Sequence, residues 1–205
     1  MSNQVTLIDA GTGNLRSVYK GLESLGAQVL LTSDPKQIAQ AGRVVLPGVG
    51  AFGDFMKGLR ARGLEIPILE FYQRGNPLLG ICVGMQAFFE VGREMGEHRG
   101  LGFLSGQVLH FPAFEKLKVP HTGWNQLWPQ RNSLLLRAID AGEYAYFNHS
   151  FYCEPGEAGA VLACTDYGIN FASAVQRGNL YGVQFHPEKS QRVGLQILNN
   201  FMCYA

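Results

Sequence analysis

The sequence predicts an α/β fold: an open, mixed and mostly parallel sheet flanked by helices, formed by residues 1–205 as a single domain. Three observations carry this reading. In the first half, short apolar runs alternate with stretches of helical periodicity, the pattern of right-handed βαβ units. In the second half, β-type runs follow one another across short turns, which favours an antiparallel or mixed extension of the sheet. Glycine makes up 26 of 205 residues. It falls at the ends of apolar runs, where tight turns and close backbone approach need a residue without a side chain.

Taken in order, Val5–Ile8 is a first strand ending in Asp9-Ala10-Gly11, and Val18, Leu22 and Leu25 give the next stretch one apolar helical face closed by Gly26. Gln28–Leu31 is a second strand. Ser33-Asp34-Pro35 then reads as a helix start, a capping side chain ahead of a proline. Arg43–Leu46 is a third strand running into Pro47-Gly48-Val49-Gly50, and Phe52, Phe55, Met56 and Leu59 line a helix face after it. Pro77–Ile81 is a fourth strand, with Gly84–Phe89 opening another helix. Further β-type runs are Tyr144–Phe147, Val161–Thr165, Ala172–Val175 and Leu180–Gln184. The segment from Gly194 to Tyr204 sets Leu195, Leu198, Phe201 and Met202 on a final helix face.

Composition narrows the function. Hydrophobic residues at 46% allow a sizeable core, and charged residues at only 16% argue against disorder. Seventeen basic residues against sixteen acidic give +1 with no basic patch, which argues against a nucleic-acid binder. The first basic residue is Arg16 and the uncharged stretches are short, so the expectation is a soluble, cytosolic protein without a secretory signal or membrane span. Four scattered cysteines form no C-x-x-C pair and five histidines form no ligand pair. No metal or cofactor is expected.

Gly80-Ile81-Cys82-Val83-Gly84 stands between an apolar strand and a helix start, the context of a nucleophile elbow. A sharp turn there lifts Cys82 at the carboxyl edge of the sheet, where open α/β folds bind ligands. It also aims the Val83 N–H at a reacting carbonyl as an oxyanion donor. A buried structural cysteine would fit the five residues alone; the strand–turn–helix context favours the nucleophile. A cysteine nucleophile wants a base, and Gln184-Phe185-His186-Pro187-Glu188 follows a strand. Residues at i and i+2 of an extended segment point the same way, which would let Glu188 hold the imidazole of His186. At a third strand end, the glycines around Val49 let a second backbone N–H approach a substrate carbonyl. An ordinary strand-to-helix turn would look the same in isolation.

Together these segments resemble the class I (triad) glutamine amidotransferases, and within them the branch that serves a cyclase. The resemblance runs nearly end to end, through Asp9–Asn14, Pro47–Gly50, Gly80–Gln86, Val119–Asn125, Tyr146–Ser150, Asp166–Gly168 and Gly182–Ser190. It implies a flavodoxin-like sheet and a glutaminase. Cys82 would attack the carboxamide carbon, His186 would serve as acid and then base, and Glu188 would orient His186. The Val49 and Val83 amides would stabilise the oxyanion, and Gly50, Gln86, Ser150 and Phe151 would hold glutamine. Asn14, Trp124, Tyr146 and Lys189 match positions facing a (βα)8 cyclase. Ammonia would pass into that partner to make imidazole glycerol phosphate and AICAR in histidine biosynthesis. Asn148 departs from the pattern, standing where an aliphatic residue is expected.

Other readings fit parts of the sequence. The ammonia could serve a different synthase in another pathway, since the triad is the same in all of them. A thiol hydrolase of the same superfamily would share the elbow, although Gln86 and Pro47–Gly50 suit a small carboxamide better. A binding module that has lost its chemistry would not need Cys82, His186 and Glu188 intact.

Overall fold

The computed structural model describes residues 3–113 and 115–204. The four early apolar runs form β1 (Gln4–Ile8), β2 (Gln28–Thr32), β3 (Val44–Gly48) and β4 (Leu78–Cys82). β3 and β4 are buried along their whole length, as strands covered on both faces must be. Helix α1 (Leu15–Ser24) buries Val18 and Leu22 and gives way to Gly26 at φ +82°, a left-handed position that suits glycine. Helix α2 (Pro35–Ala39) starts as the sequence signals, with the Asp34 carboxylate accepting the Lys36 N–H at 2.9 Å. Helix α3 (Phe52–Ala61) buries Phe52, Phe55, Met56 and Leu59.

Two elements differ from the sequence expectation. Helix α4 (Glu65–Gln73) is not signalled, because Pro67 interrupts its pattern; the proline falls in the first turn, where its missing N–H costs no helical bond. Conversely, the helix expected from Gly84 to Phe89 is a single turn, α5 (Val83–Gln86), and Phe89 opens strand β5 (Phe89–Gly92). The Ala87 and Phe88 carbonyls accept from the N–H groups of Leu101 and Leu104, so later chain takes the bonds a longer helix would need.

The remaining strands are β6 (His98–Arg99), β7 (Leu104–His110), β8 (His121–Pro129), β9 (Glu143–His149), β10 (Phe151–Pro155), β11 (Val161–Asp166), β12 (Asn170–Arg177) and β13 (Leu180–Val183), followed by helix α6 (Gln191–Tyr204). Among the described residues the sheet runs β2-β1-β3-β4-β13-β12-β10-β7-β5-β6, with β11, β8 and β9 branching from β12. The block from β2 to β13 is parallel, and β12, β10 and β7 continue it antiparallel. The parallel sheet expected for the first half and its antiparallel extension are both present.

Register positions the site. β13 pairs with β4 from Leu180↔Leu78 to Val183↔Ile81, and β3 pairs with β4 up to Gly48↔Cys82. The segments that follow β3, β4 and β13 therefore leave the sheet side by side at its carboxyl edge.

Candidate active site

Cys82 has φ +55° and ψ −113°, a conformation an L-residue adopts only when its surroundings enforce it. The neighbouring glycines make the turn possible. A Cβ on Gly84 would lie 1.9 Å from the Leu46 carbonyl oxygen, one on Gly80 would lie 2.7 Å from the Gly84 oxygen, and one on Gly48 would lie 2.8 Å from the Gly84 nitrogen. Strand β3, strand β4 and the turn of α5 thus meet backbone to backbone.

His186 lies three residues beyond β13 and is buried. Its Nδ1 is 3.0 Å from Glu188 Oε1, and it shares the cavity wall with Cys82. The His186–Glu188 contact does not come from an extended segment. Pro187–Lys189 is a 3₁₀ turn, so Glu188 reaches back to the imidazole by a tight coil rather than by strand alternation. Burial opposes a charge on His186. Its hydrogen bonds and charge interactions with Cys82 and Glu188 outweigh that and raise its pKa to about 10. The partners of the imidazole therefore favour its charged form.

Cys82, Val83, Val49, Gly50, Gln86, Ser150, Phe151 and His186 share one cavity of about 240 Å³, with Asn14 and Lys189 at the same cavity. That is below the roughly 300–1,000 Å³ of drug-sized pockets and suits a small metabolite. A larger, more open depression of about 660 Å³ around Arg131–Ile139 and Gln176 contains none of these residues. Trp124 and Tyr146 lie outside the cavity, their rings meeting edge to face at 6.0 Å, and the Lys189 ammonium sits 5.6 Å from the Tyr146 ring centre. Trp124 is 46% exposed, which excludes a core role for it.

Sequence reasoning missed two residues of the cavity wall as substrate neighbours, Glu94 and Pro120; Asn148 and His149 line it too, His149 in the loop with Ser150 that the resemblance assigns to glutamine and Asn148 beside it. Glu94 Oε2 accepts the Phe52 N–H at 2.7 Å, capping the entry to α3 while its carboxylate faces the cavity. Nothing in its local sequence marks it, because it follows a strand pattern in an unremarkable loop. Asn148 is exposed, and its side-chain oxygen accepts from the Thr122 hydroxyl at 3.1 Å across β8 and β9, which accommodates a polar group where an aliphatic one was expected. Gln184 adds a polar neighbour to the nucleophile: it is fully buried and its Nε2 is 3.7 Å from Cys82 Sγ.

Among the described residues, no group of three or more His, Cys, Asp or Glu side chains is arranged to hold a metal ion, and all four cysteines are free thiols. No helix of the described residues is long and apolar enough to cross a membrane. The arrangement can supply a sulfur nucleophile, a buried imidazole to carry a proton, and a carboxylate to hold that imidazole, around a cavity for a small polar molecule.

Comparison with known proteins agrees with this chemistry. The family described as Glutamine amidotransferase class-I matches residues 6–205. The imidazole glycerol phosphate synthase subunit HisH of Syntrophotalea carbinolica is 50% identical over 202 residues, covering 96% of this chain and 98% of that protein. The HisH subunit of Salinibacter ruber is 52% identical over 201 residues, covering 96% of this chain and 92% of that one. Among solved structures, PurLQS from Thermotoga maritima superposes with a TM-score of 0.74 at 19% identity, covering 100% of this chain and 99% of the matched chain, a likeness of fold. Identity near one half across almost the entire length leaves one placement: the chain belongs to the class-I glutamine amidotransferase family, in its HisH branch.

Proposed function

We propose that this chain is a glutaminase that releases ammonia from glutamine and delivers it to a (βα)8 cyclase partner, which makes imidazole glycerol phosphate and AICAR in the cytoplasmic synthesis of histidine. The HisH relatives are named as subunits of that synthase, and this supports the partner and the product. The observation that carries the chemistry is Cys82 on its left-handed elbow, sharing a cavity with an imidazole that is bonded to Glu188 at 3.0 Å.

In this reading Cys82 Sγ attacks the carboxamide carbon and the carbonyl oxygen becomes an oxyanion held by the Val83 and Val49 N–H groups. His186, a cation before attack, gives its proton to the departing nitrogen, and ammonia leaves a γ-glutamyl thioester. Neutral His186 then takes a proton from water, which attacks the thioester; collapse releases glutamate and expels the Cys82 sulfur as the thiolate, again beside the cationic imidazole with which the cycle began. Glu188 holds the imidazole in orientation and favours its charged form at each transfer. The Glu94 carboxylate suits the α-ammonium of the substrate, and Gly50, Gln86, Ser150 and Phe151 surround its chain. Trp124, Tyr146, Lys189 and Asn14 form the face that meets the cyclase.

The test is glutamate release from glutamine with and without the cyclase and its nucleotide ligand. Strong stimulation by both is expected. Cys82→Ala should abolish glutamine-dependent turnover of the complex while leaving turnover with added ammonia. Persistent glutamine turnover in that variant would remove Cys82 from its role, and indifference to the cyclase would assign the ammonia to another synthase.

A further inference from the structure

Two buried histidines take no part in the steps above, yet they are tied to the site by an unbroken set of hydrogen bonds. His149 Nδ1 lies 2.8 Å from the Phe151 carbonyl oxygen. A carbonyl only accepts, so the proton of His149 sits on Nδ1 and its Nε2 is an acceptor. That nitrogen is 3.1 Å from His121 Nδ1, which must then be the donor, leaving His121 Nε2 to accept from the Asn125 amide at 3.3 Å. Both rings are therefore in the Nδ1–H tautomer, each fixed by its neighbour.

The same Phe151 oxygen also accepts from Gln86 Nε2 at 3.1 Å. Gln86 Nε2 gives its second hydrogen to Gln184 Oε1 at 3.1 Å, and this turns the Gln184 amide nitrogen toward Cys82 Sγ. Gln86 Oε1 is left as the acceptor end of that side chain. One carbonyl thus decides which way two buried amides face. The rings that hold it have little freedom. His121 is stacked between Tyr167 and Phe147, with ring centres 3.9 and 4.7 Å away, and His149 packs against Phe111 and Phe171 at 5.3 Å each. Burial lowers the pKa of His121 to about 4 and of His149 to about 3, so both rings keep the free acceptor nitrogen that the relay requires.

We propose that His149, held in tautomer by His121, is a positioning residue of the glutamine pocket: it fixes the Phe151 carbonyl and through it the Gln86–Gln184 amide pair beside Cys82. This rests on the glutaminase reading and names residues that set substrate affinity within it. His149→Phe keeps an aromatic ring but removes the donor to Phe151. His149→Asn keeps a donor at the Nδ1 position.

In the complex with the cyclase, His149→Phe should raise the KM for glutamine about tenfold with kcat within about twofold of wild type. His149→Asn should return KM to within about threefold, and ammonia-dependent turnover should be unchanged in both. An unchanged KM in His149→Phe, or an Asn variant as impaired as the Phe variant, overturns the proposal. Should either variant fail to fold, ¹⁵N shifts of the imidazoles in the wild-type complex decide it. A protonated Nδ1 with a bare Nε2 on His149 is required, and an Nε2–H tautomer overturns it. Absence of glutamate release from the wild-type complex would instead sink the glutaminase reading, which the tautomer measurement does not touch.

Discussion

The backbone N–H of His186 donates to the carbonyl of Tyr146 at 2.9 Å. The bond joins the imidazole of the site to a residue whose ring turns outward toward Trp124 and Lys189. Ser190 closes the arrangement into a ring: its hydroxyl accepts the Tyr146 N–H at 2.9 Å and donates to the His186 carbonyl at 2.6 Å. Movement of β9 on the proposed docking face is thereby movement of the peptide that carries the imidazole.

Ser190 is 1% exposed, so water cannot replace its hydroxyl. Ser190→Ala leaves the Tyr146 N–H without its partner, while the His186 carbonyl keeps the Lys189 N–H at 3.0 Å, and should cost about 1–3 kcal/mol of stability. Glutaminase stimulation by the cyclase should fall more than the basal rate. Urea unfolding and paired rate measurements check this; a variant of wild-type stability and stimulation would show that the hydroxyl is dispensable.

Gly84→Ala should be among the most damaging single-methyl changes in the chain. Its Cβ would meet the Leu46 carbonyl at 1.9 Å, an oxygen fixed in β3, so the elbow or the strand must shift. A loss of about 3 kcal/mol or more is expected. Gly42→Ala, where a Cβ meets nothing within 4 Å, should change the urea midpoint little. Equal effects of the two would contradict the packing described at the elbow.

Glu188→Gln retains shape but removes the negative charge that helps hold His186 cationic. The kcat for glutamine should fall by roughly 10²–10⁴, as when the third member of a comparable triad is neutralised, with KM little altered. A kcat within about threefold of wild type would mean that Cys82 and His186 act without it.

Acid should destabilise the protein before most carboxylates titrate. His121 and His149 have folded pKa values lowered to about 4 and 3, against 6.5 for the free ring. Between these limits the unfolded chain binds protons that these two folded rings refuse, so the pair's contribution to stability is full above 6.5 and is lost as pH falls below it; the raised His186 acts in the opposite direction, as one ring against two. At about pH 5 each ring costs roughly 2 kcal/mol. Urea midpoints should fall between about pH 7 and about pH 5, with a shallower fall in His149→Asn. A flat profile, or imidazole resonances titrating near 6.5, would refute the buried neutral pair.

The chain's own order discloses a good deal of this. The strands read at Arg43–Leu46 and Pro77–Ile81, the glycines around Cys82, and the Asp34-Pro35 helix start are local patterns with local causes, and the structure keeps them, carrying β3 on to Gly48 and β4 to Cys82. Helix α4 escapes because Pro67 masks its pattern, and Glu94 because a loop carboxylate carries no local signature. The helix expected through Phe89 fails for a different reason: distant N–H groups at Leu101 and Leu104 compete for its carbonyls, and no window around Gly84 contains them.

By itself the sequence determined that this is an α/β chain with a cysteine elbow, a His-Pro-Glu segment and a glycine-lined strand end, because turn geometry and apolar periodicity act over a few residues. That Cys82 and His186, 104 positions apart, meet in one cavity was decided by the tertiary structure, when β13 took its place beside β4 in the register Val183↔Ile81. Strand pairing is a contest among all exposed edges of the sheet, settled by burial on both faces rather than by neighbours in the chain. The same contest brought His121 opposite His149, and with that pairing came the tautomers and the polar thread to Cys82 that no local pattern encodes.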